Sequence, residues 1–306
     1  MIEQYQRALP HGITLSCRAA GERTRPVLLF LHGFPEAAFV WDALLAHFAR
    51  AENGGFRCIA PNLRGFEQSS APTDVSAYRP KHLVQDIAAL IALETREQGG
   101  QLACLVAHDW GGAVAWNLAN QLPHLARQLA IINSPHPGTF LHELKSNPAQ
   151  QAASAYMNFL VRPDAEQLLA QDDYRRLWEF LTHTKDGFHP PHWLTDAVRA
   201  QYREVWAAGL TGGCNLYRAS PLRPPRPQDP AAAAVVLPHE LLTVSLPTLV
   251  IWALDDIALP PVLIDGLGDY VANLTVQTVP GASHWIVHEK PQLLAQMLQH
   301  FLLQTT

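Results

Sequence analysis

Short apolar segments alternate along the chain with longer segments of helical periodicity, and this alternation limits the possible folds most strongly. The apolar segments are five or six residues long and are bounded by turn-forming residues. This pattern is typical of a mostly parallel sheet covered by helices, an α/β fold. The predicted strands are residues 26–31, 56–60, 102–107, 129–133, 248–253 and 275–279.

Two segments show the apolar stripe of an amphipathic helix. The first begins near Arg79, has Pro80 in its first turn and carries one apolar face formed by Leu83, Ile87, Leu90 and Ile91. The second closes the chain and carries a stripe formed by Leu293, Leu294, Met297, Leu298 and Phe301. Both stripes predict a helix that packs on the sheet.

The alternation stops between residues 136 and 245, where helix-like sequence rich in Trp and Tyr runs without a clear strand. We interpret this block as an inserted, mainly helical cap and call it the cap segment. Residues 1–135 and 246–306 would then form the core domain. Within the cap segment, the stretch 220–240 is rich in proline and alanine, which predicts an extended return segment with a flexible loop.

Composition excludes several classes of partner. With 22 Lys and Arg against 27 Asp and Glu, the net charge is −5, so the chain offers no basic field for nucleic acid. No apolar run approaches the roughly 18 residues that span a bilayer, and the N-terminus lacks the apolar segment of a signal peptide. We therefore expect a cytoplasmic protein without a membrane span. The sequence also allows a homodimer.

Cysteine and histidine spacing argues against a metal site. The four cysteines are too irregularly spaced for a disulfide framework or a zinc site, and Cys58 and Cys104 fall in predicted strands as buried thiols. His183, His189 and His192 surround two prolines, which prevents them from sharing one helical face. We expect neither a metal nor a cofactor.

A sharp corner between a strand and a helix is predicted at Asp109. The segment LVAHDWGGAVAW is apolar as far as His108-Asp109-Trp110 and then turns at once into small residues with helical spacing. The small residues Ala107 and Gly111 flank Asp109, as a strained turn requires, because bulky neighbours would clash where helix and strand pack. Taken alone, an aspartate that caps the helix would fit equally well.

Three other strand ends carry residues suited to chemistry, and they are His32-Gly33-Phe34-Pro35, Asp255-Asp256 and His284. The carboxyl ends of parallel strands meet at one edge of a sheet, so these residues are expected to converge. The order Asp109, Asp256, His284 also matches the order of nucleophile, acid and histidine in the fold that uses such a corner.

At these segments the sequence resembles the α/β-hydrolase family and, within it, the epoxide hydrolases. The matching segments are LFLHGFPE, APNLRGFEQSSAP, HDWGG, NSPHP, GGCNLYR, LVIWALDD and GASHWIVHEKP, which extend from about Arg25 to Leu303. Asn62 stands where Asp is more usual and Glu67 where Gly is common, but neither is a catalytic position. The resemblance implies a mostly parallel twisted sheet flanked by helices, with an inserted helical cap.

The resemblance also implies a role for each of these residues. Asp109 would be the nucleophile, since a carboxylate is already ionised at neutral pH and the helix N-terminus favours its charge. Its attack leaves an ester on the enzyme. A water molecule would then hydrolyse this ester after His284, oriented by Asp256, has taken a proton from it. The backbone N–H groups of Phe34 and Trp110 would hold the oxyanion. The loop residues expected to support this hole are His32, Gly33 and Pro35.

Spacing favours Asp256 over its neighbour Asp255 as the acid. In relatives the acid stands four residues after the tryptophan of the strand, here Trp252, and Pro260 follows in the expected place. Some members of the superfamily carry the acid on the preceding strand loop. Asn133 occupies that position here and cannot ionise.

Two tyrosines of the cap segment favour an epoxide as substrate. Opening an epoxide leaves an attached alkoxide that needs a strong hydrogen-bond donor, and a neutral phenol can supply it. By resemblance, Tyr156 in ASAYMNFLVRP and Tyr217 in GGCNLYR match the two ring-opening tyrosines of epoxide hydrolases. The expected substrates are therefore a small epoxide and water, and the product is a vicinal diol.

Two alternatives remain open at this point. A haloalkane or haloacetate dehalogenase would use the same nucleophile, with Trp110 as a halide ligand; however, Phe34 replaces the asparagine that often completes the halide site, and no arginine follows Asp109 directly. A non-catalytic receptor for a small ligand on the same fold is the second alternative.

Overall fold

The computed structural model describes residues 1–184, 187–188, 190–227 and 229–304. Within these residues, eight strands form one sheet and two very short strands pair separately. The strands are β1 Glu3–Ala8, β2 Thr14–Ala20, β3 Val27–Leu31, β4 Arg57–Pro61, β5 Cys104–His108, β6 Leu129–Ile132, β7 His183–Thr184, β8 Gly187–Phe188, β9 Thr248–Ala253 and β10 Leu274–Val279. All six predicted strands are present, with ends shifted by two residues at most.

The large sheet has the order β1-β2-β4-β3-β5-β6-β9-β10. All strands from β4 to β10 in this order pair in parallel, while β1 and β2 are antiparallel. Strand β3 lies between β4 and β5, so the chain adds strands first on one side of β3 and then on the other. Such a switch point opens a crevice beyond the carboxyl ends of the strands, where ligands of α/β proteins bind.

The hairpin of β1 and β2 was not predicted. In β1, partly buried side chains alternate with exposed ones, and Glu3 and Arg7 belong to the strand. An edge strand that is half exposed needs no continuous apolar run, so the criterion that identified the parallel strands does not detect it.

The helices flank the sheet and fill the segment between β6 and β9. They are α1 Asp42–Phe48, α2 Pro80–Glu94, α3 Asp109–Gln121, α4 Pro137–Ser146, α5 Pro148–Ala153, α6 Ala155–Leu160, α7 Ala165–Thr182, α8 Asp196–Ala207, α9 Thr211–Ala219, α10 Pro230–Ala233, α11 Ile286–Glu289 and α12 Pro291–Leu303. Helix α2 buries its predicted stripe. In α12, however, Leu293 is exposed, so the buried stripe is narrower than predicted.

The described residues of the cap segment are mainly helical and include the antiparallel β7–β8 pair. Helix α7 is interrupted, since the backbone leaves helical geometry at residues 171–174. The stretch 220–240 is not simply extended, because it contains the one-turn helix α10 and a short bridge from Arg226 to Asp229. His189 lies outside the described residues, and so does Gln228. The domain boundaries at 135 and 246 stay predictions.

Buried apolar side chains from the sheet and the helices form one continuous core. Helix α3 packs on β3, β5 and β6, and α1 packs on β2, β4 and α12. The thiols of Cys58 and Cys104 are buried in β4 and β5, as predicted. In the part of the chain that the structure describes, no helix is long and apolar enough to cross a membrane.

Candidate active site

Asp109 stands at a strained corner between β5 and α3. Its φ is 48°, in the left-handed region that residues other than glycine rarely adopt. The corner is crowded: a Cβ on Gly111 would lie 2.4 Å from the carbonyl oxygen of Leu31, and a Cβ on Gly33 would lie 2.2 Å from Asp109 Oδ1. Only glycines allow the two loops to approach so closely. The turn therefore presents the Asp109 carboxylate beyond the carboxyl end of β5.

His284 links Asp109 to Asp256. Its Nδ1 lies 2.6 Å from Asp256 Oδ2, and its Nε2 lies 3.7 Å from Asp109 Oδ2. Asp256 is buried and accepts hydrogen bonds from the backbone N–H groups of Ala258 and Leu259, both at 2.9 Å. These bonds hold the Asp256 carboxylate in place behind the imidazole.

Asn133 also contacts the acid, although it cannot ionise. Its side-chain amide donates to Asp256 Oδ2 at 3.0 Å, and its amide oxygen accepts from the backbone N–H of Ala253 at 2.8 Å. Asn133 has a φ of 38° at the end of β6. Sequence reasoning placed it on this loop but missed its contact with Asp256. Its position directly after a predicted strand was the available signal.

The two oxygens of Asp109 have different surroundings. The backbone N–H of Phe34 donates to Oδ1 at 2.8 Å, whereas Oδ2 faces His284. Trp110 is the next residue of α3. Its backbone N–H is one of the first N–H groups of the helix, which have no carbonyl partner within the helix. Ser134 also donates through its hydroxyl to the backbone carbonyl of Asp109 at 2.7 Å, which fixes the turn.

The loop that carries Phe34 is held by buried contacts. His32 Nε2 accepts from the backbone N–H of Leu63 at 3.0 Å, so Nδ1 donates to the carbonyl of Gly33 at 2.9 Å. Burial lowers the pKa of His32 to about 4, which keeps this imidazole neutral. The carbonyl of Pro35 accepts from the indole N–H of Trp206 in α8 at 2.8 Å.

Both predicted tyrosines reach the site from the cap segment. The Tyr217 ring packs edge-on against Trp110, with centroids 5.0 Å apart, and against Phe34 at 5.5 Å. The Tyr156 and Tyr217 rings lie 6.0 Å apart. Burial, followed by the charge of Asp109, raises the pKa of Tyr156, and burial raises that of Tyr217 far above its usual range. Both phenols are therefore neutral donors at neutral pH.

Tyr156 lines three clefts, and two of them reach Asp109 or His284. The first, of about 840 Å³, is lined by Asp109, Trp110, Tyr217 and apolar side chains that include Phe140, Met157 and Leu259. The second, of about 940 Å³, opens beside His284, Phe180 and Trp285. Asp109 thus faces an apolar chamber, while His284 faces the other cleft.

The charges around His284 favour its protonated form. Burial alone would lower the pKa of His284, but the charge and hydrogen bond of Asp256, with the charges of Asp109 and Glu36, outweigh burial and raise the pKa to about 9. His284 is therefore an imidazolium at neutral pH. The arrangement combines a carboxylate in an apolar chamber with a histidine held by a second carboxylate.

The model of the α/β-hydrolase fold family matches residues 26–291. The chain is 33% identical to the AB hydrolase superfamily protein YfhM of Bacillus subtilis over 295 residues, 95% of each chain. It is 30% identical to epoxide hydrolase 3 of Xenopus tropicalis, with 97% of this chain and 77% of that protein covered. A solved structure of an epoxide hydrolase from hot-environment metagenomes is 35% identical, with a TM-score of 0.83 over 99% of both chains. The chain is therefore a hydrolase that belongs to the α/β-hydrolase superfamily and, within it, to the epoxide hydrolase branch.

Proposed function

We propose that this chain hydrolyses epoxides to vicinal diols through a covalent ester on Asp109. The observation that carries the proposal is the placement of two neutral phenols, Tyr156 and Tyr217, in the same cleft as the Asp109 carboxylate. A carboxylate alone could displace many leaving groups. A pair of buried phenols suits a leaving alkoxide that stays attached to the substrate.

The first step forms the ester. Because the Phe34 N–H engages Oδ1, Oδ2 of Asp109 is the attacking oxygen. Oδ2 bonds to one ring carbon, the bond from that carbon to the epoxide oxygen breaks, and the oxygen takes a proton from Tyr156 or Tyr217. Splitting the hydrolysis through a covalent intermediate replaces one difficult step with two easier ones.

The second step hydrolyses the ester. Ester formation removes the negative charge of Asp109, one of the charges that raise the pKa of His284, so its neutral form becomes more accessible. His284 then takes a proton from water, and hydroxide attacks the ester carbonyl. The oxyanion develops on Oδ1, where the Phe34 N–H already donates and the Trp110 N–H joins it. Collapse breaks the acyl–oxygen bond, and the departing alkoxide takes the proton that His284 accepted from water, which releases the diol. The tyrosinate of the first step regains the proton that the His284 imidazolium gave up, and the new Asp109 carboxyl group returns its proton to His284.

A dehalogenase is the weaker candidate. Trp110 lies beside Asp109, but its ring packs against Tyr217, and the neighbouring loop offers the Phe34 ring where a second halide donor would be needed. A non-catalytic receptor would not need the hydrogen-bonded His284–Asp256 pair. Turnover of a generic epoxide, compared with a haloalkane, separates these candidates.

A single turnover in oxygen-18 water tests the covalent route. With enzyme in excess over epoxide, the first diol should carry little label, since its new oxygen comes from Asp109 Oδ2. The peptide that contains Asp109 should gain one oxygen-18 by mass spectrometry. His284→Gln should accumulate a protein–epoxide adduct, because attack on the epoxide survives while water activation is lost.

The competing mechanism uses Asp109 only as a general base for direct attack of water. Heavily labelled diol, an unlabelled Asp109 peptide and no adduct in His284→Gln would establish that route and refute ours. An Asp109→Asn variant is the matched control, since it should form no adduct with either histidine or glutamine at position 284. The cytoplasmic location and the homodimer stay predictions.

A further inference from the structure

A buried carboxylate that the proposed chemistry does not use lies behind the site. Glu36 follows β3 and is fully buried. Its Oε2 lies 3.1 Å from His108 Nδ1, and its Oε1 accepts from the hydroxyl of Tyr202 at 3.1 Å. His288 Nε2 lies 2.8 Å from that hydroxyl and 3.3 Å from Oε1. We call these four residues the Glu36 cluster.

The cluster holds a charge where a charge is costly. Burial alone would raise the pKa of Glu36, but hydrogen bonds and charges from His108 and His288 outweigh burial and hold the pKa well below its usual range. Removing a carboxylate from water without a partner is costly, so the two histidines are what keep Glu36 ionised. Such a group calls for an explanation beyond packing.

One arm of the cluster ends on the backbone of His284. His108 Nε2 lies 3.0 Å from the carbonyl oxygen of His284. A carbonyl only accepts, so Nε2 carries a hydrogen and donates it, while Nδ1 faces the Glu36 carboxylate. Both edges of the His108 ring are thus fixed. The ring lies 4.7 Å from that of His284, centroid to centroid.

The other arm ends in the cap segment. Tyr202 belongs to α8, and the ring of Trp193, just before α8, stacks on His288 at 4.3 Å with an interplanar angle of 4°. The hydroxyl of Tyr202 and the stacked indole both contact a histidine of α11, which follows the His284 loop directly. The cluster therefore joins α8 to the His284 backbone and to the helix that follows it.

From these contacts we infer that the Glu36 cluster is a positioning device for the second, hydrolytic step: it fixes the His284 loop and ties it to α8. This inference rests on the proposed covalent mechanism. Within the described residues, no hydrogen bond joins the cluster to the side chains of Asp109, Tyr156 or Tyr217, so we expect the first step to depend on it less than the second. The second step depends on it directly, because the imidazole must meet both water and Asp256 in one orientation.

Rapid-quench kinetics with mass spectrometry of the intact protein tests this inference. With enzyme in excess over a styrene-type epoxide, the rise and decay of the adduct give the rates of the two steps separately. Glu36→Gln should slow decay by about tenfold or more, as expected for a slight misplacement of a catalytic group, and leave the rise within about twofold. Adduct should accumulate during steady-state turnover.

Tyr202→Phe is the milder second variant, in case Glu36→Gln folds poorly. It keeps the ring that packs edge-on against Phe39 at 5.0 Å and removes only the hydroxyl. It should slow adduct decay in the same direction by a smaller factor. Its matched control is Tyr78→Phe, which also loses a buried hydroxyl, one that donates to the carbonyl of Pro72 at 2.9 Å.

Asp86→Asn is the matched control for loss of a buried ionised group. Asp86 is buried, pairs with Arg64 at 2.5 Å and lies 2.7 Å from a ring nitrogen of His11. If lost stability alone slowed decay, Asp86→Asn and Glu36→Gln would behave alike. Of these two variants, we expect only Glu36→Gln to change the ratio of the two rates.

The outcomes separate the two proposals. If wild type and His284→Gln form no adduct at all, the covalent mechanism is wrong and the cluster loses its basis. A second outcome is that wild type forms and hydrolyses an adduct, while folded Glu36→Gln and Tyr202→Phe either slow both rates by the same factor or change neither rate. In that case the covalent mechanism stands and the positioning role is refuted.

Discussion

Two phenols and one carboxylate share the first cleft, and their proximity predicts how substitutions will act. Replacing Tyr156 and Tyr217 together with Phe should nearly abolish ring opening, because removing one donor to a developing charge typically costs about 2.7–4 kcal/mol of transition-state stabilisation. Each single variant should be milder, since the remaining hydroxyl still reaches the alkoxide. The rate of adduct formation in a single turnover measures this loss directly.

The double variant must be shown to fold, because both rings pack in the site. Circular dichroism and the urea unfolding midpoint serve as controls. A folded double variant that forms adduct at the wild-type rate would remove both tyrosines from the ring-opening step and weaken the case for an epoxide over a halide.

The raised pKa of His284 has a consequence for stability. A histidine whose folded pKa of about 9 exceeds its unfolded value of 6.5 stabilises the folded state fully below pH 6.5 and loses this contribution as pH rises through 9. Wild type should therefore lose up to about 3 kcal/mol more than His284→Gln between pH 6 and pH 9.5. Urea unfolding at both pH values gives the difference, and parallel losses in the two proteins would contradict the pKa shift.

The two departures from the family pattern contact each other. Asn62 donates through its side-chain amide to Glu67, and its amide oxygen accepts from the backbone N–H of Ala38 at 2.7 Å. Glu67 has a φ of 48°, which explains why glycine is common at this position in relatives. Asn62 is a donor to Glu67 that an aspartate would not provide. Both residues belong to the loop after β4.

At the scale of elements, the corner between β5 and α3 depends on the absence of a side chain at Gly111. A Cβ there would lie 2.4 Å from a backbone oxygen of β3, which cannot rotate away as a side chain could. Gly111→Ala should therefore lower the free energy of unfolding by about 1–3 kcal/mol, the usual cost of overpacking. Urea unfolding at pH 7 measures it.

Gly268→Ala is the control for this prediction, because a Cβ at Gly268 meets nothing within 4 Å. It should be neutral or slightly stabilising through reduced backbone entropy of the unfolded chain. Equal destabilisation by the two alanines would show that the contact with β3 does not limit the corner.

At the scale of the whole molecule, one close backbone approach joins the cap segment to the core. A Cβ on Gly212 of α9 would lie 2.3 Å from the Cα of Gly65, in the loop after β4. Gly212→Ala should move α9, which carries Tyr217, and a shift near 1 Å can cost about 100-fold in rate. We expect slower adduct formation with unchanged adduct decay.

A double-mutant cycle checks that this effect acts through Tyr217. In the Gly212→Ala background, Tyr217→Phe should cost less than in wild type, since the hydroxyl is already displaced. Additive losses would place the effect of Gly212 elsewhere in the cap segment.

Features that depend on local periodicity and on the order of residues along the chain could be predicted from the sequence alone. Burial on both faces makes parallel strands continuous apolar runs, so these strands could be predicted. The Asp109 corner could be predicted from the small residues that flank it. Features that depend on contact between distant segments required the folded structure, and they are the half-exposed β1–β2 edge, the Asn133–Asp256 hydrogen bond and the Glu36 cluster. Glu36 and Tyr202 are 166 positions apart and leave no local pattern, because their pairing is set by how α8 packs on the loop after β3.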